Sequence, residues 1–132
     1  MACHLIEEAQ QGALDPKKIE DAIEYGEHLA DSDKFDVKIC ACKRCGQVYI
    51  YCFREFNSLK FEDFYWTFWI PAAGGDIAEL KTAEMSCKLM ADIIRDRAHI
   101  CWGDKGAVYW SEGNPLATTI FTLPYMVEYP KV

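Results

Sequence analysis

The chain has 132 residues, of which 51% are hydrophobic, 14% aromatic and 27% charged. This size and composition predict one domain over residues 1–132 and exclude wholesale disorder, a collagen-like chain and a coiled coil. The net charge of −7 belongs to residues 1–36, which carry ten acidic side chains against three lysines, whereas residues 37–132 are neutral. A localised negative field disfavours nucleic acid and anionic membranes as partners and favours a basic partner, although acidic side chains also serve solubility.

The first residues contain neither a basic segment nor an apolar stretch, so we expect no secretory signal peptide and a cytoplasmic location. No uncharged stretch is long enough to span a bilayer. Seven cysteines, an odd number, in a chain that can form a full hydrophobic core predict reduced thiols or a metal site rather than a disulfide framework.

Residues 1–33 are predicted to form an acidic helical part. A short helix is expected over residues 3–12, and a second begins at Asp15-Pro16 and extends, by the spacing of its apolar residues, to about residue 31. Four acidic residues follow one another on this second helix at intervals of four, three and four; they are Glu20, Glu24, Glu27 and Asp31. That spacing would align them in one acidic stripe, which is the candidate surface for binding a partner.

Residues 34–71 are predicted to form a three-stranded meander rich in aromatic residues, with strands over 34–41, 47–55 and 62–70. In the third strand, Phe64, Trp66 and Phe68 leave by one face, whereas Tyr65 and Trp69 leave by the other. One face belongs to the core beneath a helix. The other face must be covered by the N-terminal helices or by a partner.

A long helix is predicted over residues 76–98, where apolar residues recur at intervals of three and four after an Asp76-x-x-Glu79 capping signal. Short strands are expected within residues 99–123, at 99–102, 107–111 and 117–123. The order of these elements predicts the α+β class, with a largely antiparallel sheet packed by the long helix and by the N-terminal helices.

The motif with the clearest chemistry is Cys42-x2-Cys45-Gly46 at the tip of a predicted hairpin. A tight turn of this form directs two thiolates at one point and supplies half of a zinc site. His99 and Cys101 leave the same face of a predicted strand and are the candidate second pair, which makes a Cys3His set for one structural zinc. The alternative is a plain hairpin turn with free thiols and no cofactor.

Recognisable catalytic motifs are absent from the sequence. Nothing after Cys45 predicts the helix that thioredoxin-type redox sites place beside their reactive thiol. No nucleophile elbow, phosphate-binding loop, dinucleotide fingerprint or zinc-protease motif occurs. We therefore expect no catalytic residues and a protein that is not an enzyme.

The hairpin Cys40-x-Cys42-x2-Cys45-Gly46, together with the aromatic strand that ends at Pro71, resembles small bacterial toxin-immunity-type proteins with a zinc-ribbon-like hairpin. The resemblance covers residues 37–71. It implies a small acidic cytosolic protein that binds and neutralises a cognate toxin domain, such as a nuclease. Two other functions stay open: a zinc-stabilised adaptor domain, and an enzyme that uses the cysteines for redox or metal-dependent chemistry.

Overall fold

An antiparallel sheet of six strands lies at the centre of this computed structural model, which describes residues 3–32, 34–56, 64–82, 86–103, 107–115, 117 and 121. The strands are β1 (Ile23–Asp31), β2 (Phe35–Cys42), β3 (Val48–Phe56), β4 (Phe64–Pro71), β5 (His99–Gly103) and β6 (Val108–Ser111). Each strand pairs with the next, so β1 and β6 form the edges. The helices are α1 (His4–Gln10), α2 (Pro16–Ala22), α3 (Asp76–Thr82) and α4 (Cys87–Asp96). The α+β class with an antiparallel sheet is confirmed.

The two faces of the sheet bury separate hydrophobic cores, because side chains alternate between the faces along each strand. Trp66, Phe68 and Ile70 of β4 pack with residues of α3 and α4 in one of them, called here the C-terminal core. Trp69, on the opposite face, packs with residues of α1 and α2 in the other, called here the N-terminal core. The second aromatic face of the sheet, which had to be covered by the N-terminal helices or by a partner, is covered by the N-terminal helices.

The helix predicted over residues 15–31 is wrong in its second half. α2 ends at Ala22, and Ile23, with φ −102° and ψ 134°, begins the edge strand β1. Pairing with β2 satisfies the backbone of this segment and outweighs the helical spacing of its apolar side chains. At Gly26 a Cβ would lie 3.0 Å from the Ile39 carbonyl oxygen. The two strands can approach each other this closely because glycine has no side chain.

The single helix predicted over residues 76–98 is also wrong, because the structure has the two helices α3 and α4. Ser86 is extended and caps α4, and its Oγ accepts a hydrogen bond from the Leu89 N–H at 3.1 Å. A hydroxyl that caps a new helix competes with continuation of the preceding one. Residues 83–85 lie outside the described residues. Both helices contribute buried apolar side chains to the C-terminal core.

The other predicted elements agree more closely with the structure. The short N-terminal helix is α1, and the strands predicted over 34–41, 47–55, 62–70, 99–102 and 107–111 lie within two residues of their observed bounds. In the segment 117–123, predicted as a strand, Ala117 and Phe121 have helical geometry, and the rest lies outside the described residues. No helix in the described ranges is long and apolar enough to cross a membrane.

Gly113 supports a direct test of this packing. It follows β6 with φ +136°, a backbone conformation that strains any other residue, and a Cβ there would lie 2.6 Å from the Arg95 carbonyl oxygen of α4. We expect Gly113→Ala to lower the free energy of unfolding by about 1–3 kcal/mol, measured by urea denaturation. Gly74→Ala is the control, because a Cβ at Gly74 meets nothing within 4 Å. Equal losses in the two variants would contradict the prediction.

Candidate metal centre

The N-terminal segment docks on the sheet through one face of α1. Leu5 and Ala9, four residues apart, are buried in the N-terminal core, whereas Glu7 and Gln10 are exposed. Cys3, the residue before the helix, is also buried, and its carbonyl accepts a hydrogen bond from the Glu7 N–H at 3.2 Å. Packing of one short amphipathic helix therefore decides where residues 3 and 4 lie.

The hairpin between β2 and β3 forms the tight turn that its sequence predicts. The Cys42 N–H donates to the Gln47 carbonyl at 2.9 Å, and the Gly46 N–H donates to the Cys42 carbonyl at 2.8 Å. Gly46 has φ +79°, which glycine adopts without strain. The turn leaves the Cys42 thiol buried in the N-terminal core and Cys45 exposed at the tip.

Donor atoms from these two segments converge on one point. The sulfurs of Cys3 and Cys42 and a ring nitrogen of His4 all lie within 4.8 Å of one another. The His4 Nδ1 is 3.8 Å from the Cys42 Sγ, and tetrahedral zinc separates neighbouring donors by about 3.4–3.8 Å. The Cys45 thiol lies near enough for the Cys3 and Cys42 thiols to lower its pKa, which makes it the candidate fourth donor beside these three. The four residues therefore form a cluster that could hold a metal ion.

The thiols of this cluster differ in their proton affinity. Burial raises the pKa of Cys3 to about 11. The pKa of the exposed Cys45 is lowered, first by the Gln47 backbone N–H and then by the Cys3 thiol, because both stabilise its thiolate. Without a cation, Cys3 therefore keeps its proton, whereas Cys45 ionises more readily. A bound metal would replace the proton on Cys3, since cysteine ligands are thiolates.

A buried tyrosine lies against this cluster. Tyr49, on β3, has no exposed surface, and its hydroxyl oxygen forms no regular hydrogen bond within the described residues. Burial, and after it the neighbouring Cys3 thiol, raises the pKa of Tyr49, so the hydroxyl keeps its proton. A buried hydroxyl without a good acceptor costs about 1–3 kcal/mol, and a neutral thiol is a weak acceptor.

The structure does not bring His99 and Cys101, the predicted second ligand pair, to this cluster. The His99 ring lies 5.5 Å from the Phe68 ring between centroids, and Cys101 is buried with Phe68 in the C-terminal core. Cys42 faces the N-terminal core, so the sheet separates it from both residues. The two side chains leave the same face of β5, as expected. That face of the sheet is opposite to the one on which Cys42 lies.

The pair that does reach the hairpin, Cys3 and His4, had one signal in the sequence. Two different metal-ligating side chains stand next to each other near the N-terminus. Adjacent ligands lack the two-residue spacing of a zinc knuckle, and His4 is 38 positions from Cys42. Nothing local indicates that segments so far apart meet, because the docking of α1 decides it.

The four acidic residues expected on one helix are divided between two elements. Glu20 lies on α2, and Glu24, Glu27 and Asp31 lie on the edge strand β1. All four are exposed. Glu20 accepts a hydrogen bond from the Tyr25 hydroxyl at 3.1 Å, and Glu27 pairs with Lys81 at 3.4 Å. The predicted single stripe is therefore wrong, because its helix ends at Ala22.

Two other polar surfaces of the described chain offer less than the cysteine cluster. His28, Asp31 and Asp36 lie close enough to share a cation, but Lys38 already places its ammonium 3.5 Å from Asp36. An open cleft of about 300 Å³ borders the cluster; it is lined by His4, Glu8, Lys18, Asp21, Ala22 and Arg44. Two acids and two bases line that cleft, so its charges balance.

Comparisons of this chain with protein-family models, with curated proteins and with solved structures find no significant match. No residue role can accordingly be transferred from a relative. The chemistry of the four donors is what bears on function.

The pKa difference predicts which thiol reacts first in the metal-free protein. After removal of metal by a chelator, we expect iodoacetamide to modify Cys45 before the buried cysteines, because alkylation requires an accessible thiolate. The rate should reach half its maximum below pH 9, the ordinary pKa of a cysteine. Cys40, whose pKa burial raises to about 12, should stay unmodified in the folded protein. Peptide mass spectrometry measures both sites, and comparable modification of Cys40 and Cys45 would contradict the prediction.

Proposed function

We propose that this protein is a small, non-catalytic binding protein whose N-terminal helices are held on the sheet by one structural zinc ion. The carrying observation is that the sulfurs of Cys3 and Cys42 and a ring nitrogen of His4 lie within 4.8 Å of one another, with the Cys45 thiol of the hairpin tip beside them. Thiolate and imidazole donors in a tetrahedral set are the ligands that zinc prefers. The proposal keeps Cys42 and Cys45 of the predicted zinc site. Cys3 and His4 take the place of His99 and Cys101.

The number of donors supports a structural role for the metal. Catalytic zinc keeps one coordination position for water or substrate, whereas structural zinc is bound by four protein side chains. Here three donors meet, and the Cys45 thiol beside them would complete a set in which the cysteines outnumber the histidine, as in zinc knuckles and ribbons. A closed site of this kind supports the binding-protein function over the metal-dependent enzyme.

The metal would connect parts of the chain that lie far apart in sequence. His4 and Cys42 are 38 positions apart, so the ion would close a long loop. The hairpin tip is also joined to α2, because the Lys43 N–H donates to the Ala22 carbonyl at 2.8 Å. Zinc binding would therefore raise the free energy of unfolding, since the unfolded chain does not form the site.

The first test is the metal content and its coupling to stability. We expect about one zinc per chain by elemental analysis, and a fall in melting temperature of about 10 °C or more when a chelator removes it. Cys42→Ser should lose the metal, melt at the lower temperature and no longer respond to the chelator. Cys101→Ser makes the same chemical change on the other sheet face and should keep the zinc. A metal-free wild-type protein whose melting does not respond to added zinc would overturn the proposal.

Two histidine variants, His4→Gln and His99→Gln, distinguish the observed cluster from the ligand set that the sequence spacing predicts. We expect His4→Gln to lower zinc affinity strongly, whereas His99→Gln should keep one zinc per chain even if it lowers stability, because His99 lies in the C-terminal core region. Metal content after dialysis against a weak chelator is the measurement. Loss of zinc from His99→Gln and its retention in His4→Gln would contradict the assignment.

We further propose that the partner is a protein with a basic surface, most concretely a toxin domain that this protein neutralises. The support is the charge of −7 over residues 1–36, together with the exposure of Glu24, Glu27 and Asp31 on the edge strand. A negative field of this kind accelerates encounter with a cationic protein and would occupy groups that otherwise hold phosphate.

Charge reversal tests the partner. If a toxin domain is encoded immediately upstream, Glu24→Lys, Glu27→Lys and Asp31→Lys combined should slow association with it by tenfold or more and flatten the salt dependence. The control reverses three acids outside this region, Glu79, Asp92 and Glu112, with the same change in net charge. Surface plasmon resonance measures the rates. Unchanged association and protection in the first triple variant would show that these acids only keep the strand solvated.

A further inference from the structure

Among the described residues around the centre, the Tyr49 hydroxyl is the buried polar group without a hydrogen-bond partner. The residue lies in the middle of the sheet, on β3, between Cys40 of β2 and Pro71 of β4. Its side chain has no exposed surface, and its hydroxyl oxygen has no regular hydrogen-bond partner among the described residues. Phenylalanine would fill the same space without that loss, so the oxygen requires a separate reason.

The surroundings of the hydroxyl point to the metal centre. Tyr49 is buried in the same core as Cys3 and Cys42, and after burial the Cys3 thiol has the largest effect on the pKa of its hydroxyl, with smaller effects from Cys42 and Cys45. A neutral thiol accepts a hydrogen bond weakly, whereas a thiolate accepts one strongly. The hydroxyl therefore gains a full partner only in the state in which Cys3 is ionised.

We propose that the Tyr49 hydroxyl donates a hydrogen bond to the metal-bound Cys3 thiolate, and that Tyr49 is the positioning residue of this centre. The role rests on the proposed zinc site. A ligand donor buried in an apolar core needs a second hydrogen-bond partner to fix its direction and to offset its charge. Cys45, exposed at the hairpin tip, has solvent and backbone groups for this purpose. Buried Cys3 has no solvent, and the groups that favour its thiolate are the Tyr49 hydroxyl and, to a smaller extent, the Leu5 backbone N–H.

Tyr51 provides a matched control on the same strand face. It lies two residues further along β3, and it is a partly buried tyrosine packed against the N-terminal core to which the fully buried Tyr49 belongs. Its ring contacts Tyr25 at 5.1 Å and Trp69 at 6.0 Å between centroids, away from the cysteine cluster. Removal of its hydroxyl changes the same atom without changing the surroundings of the metal.

The experiment compares the intact chain with Tyr49→Phe and Tyr51→Phe. Zinc affinity is measured by competition with a chromophoric chelator, and the cobalt-substituted proteins are measured by absorption spectroscopy. We expect Tyr49→Phe to keep one metal per chain but to bind it 10- to 100-fold more weakly. Its thiolate-to-cobalt charge-transfer band should move to lower energy, because a thiolate that accepts no hydrogen bond from residue 49 gives up an electron to the metal more easily. Tyr51→Phe should leave both quantities unchanged.

Stability measurements separate this role from simple packing. In the metal-free protein, Tyr49→Phe should melt at the wild-type temperature or higher, because the variant no longer buries a poorly partnered hydroxyl. In the zinc-bound protein, the same variant should gain less from the metal than wild type does. A packing role would instead lower both melting temperatures equally, and that result would overturn the proposal.

The remaining outcomes distinguish the two proposals. If wild type binds zinc and Tyr49→Phe has the same affinity and the same cobalt spectrum, the role of Tyr49 is wrong and the metal centre stands. If wild type binds neither zinc nor cobalt, the metal centre itself is wrong, and the role of Tyr49 is overturned with it.

Discussion

Both faces of β4 are apolar, and this constraint accounts for the arrangement of the rest of the chain. Antiparallel sheets often leave one face in water, but here Phe68 and Trp69, neighbours in sequence, are exposed by only 0% and 1%. Two sets of helices are therefore needed. α3 and α4 follow β4 in the chain and cover one face, and α1 and α2 cover the other. The N-terminal segment must consequently lie across the sheet.

The candidate metal centre follows from that path of the chain. α1 has seven residues, which is too short for a stable isolated helix, so its position depends on tertiary contacts. Leu5 and Ala9 supply the apolar part of those contacts, and Cys3 and His4 come to lie at the end of the β2–β3 hairpin. A zinc ion there would reinforce contacts that the hydrophobic core already makes. The same core therefore holds the fold together and positions the candidate ligands, since Cys3, Cys42 and Tyr49 are all buried in it.

The acidic edge of the sheet fits two physical roles at once. Among the described strands β1 pairs with β2 alone, and an edge strand of this kind invites pairing with another chain. Its register is irregular between Tyr25 and His28 and again between His28 and Ala30, and such bulges, together with exposed acids, discourage self-association. The same charges remain available to a basic partner. An irregular acidic edge is consistent with the proposed binding function.

The sequence by itself determined the features that depend on neighbouring residues. These are the strands of the meander, the glycine turn after Cys45 and the two-sided aromatic pattern of β4. Tertiary structure decided which distant segments meet. It turned residues 23–31 into an edge strand, because β2 offered backbone partners, and it brought the N-terminal Cys-His pair to the hairpin in place of the pair on β5. A local pattern determines which side chains share a strand face, but only register and helix packing determine what that face meets.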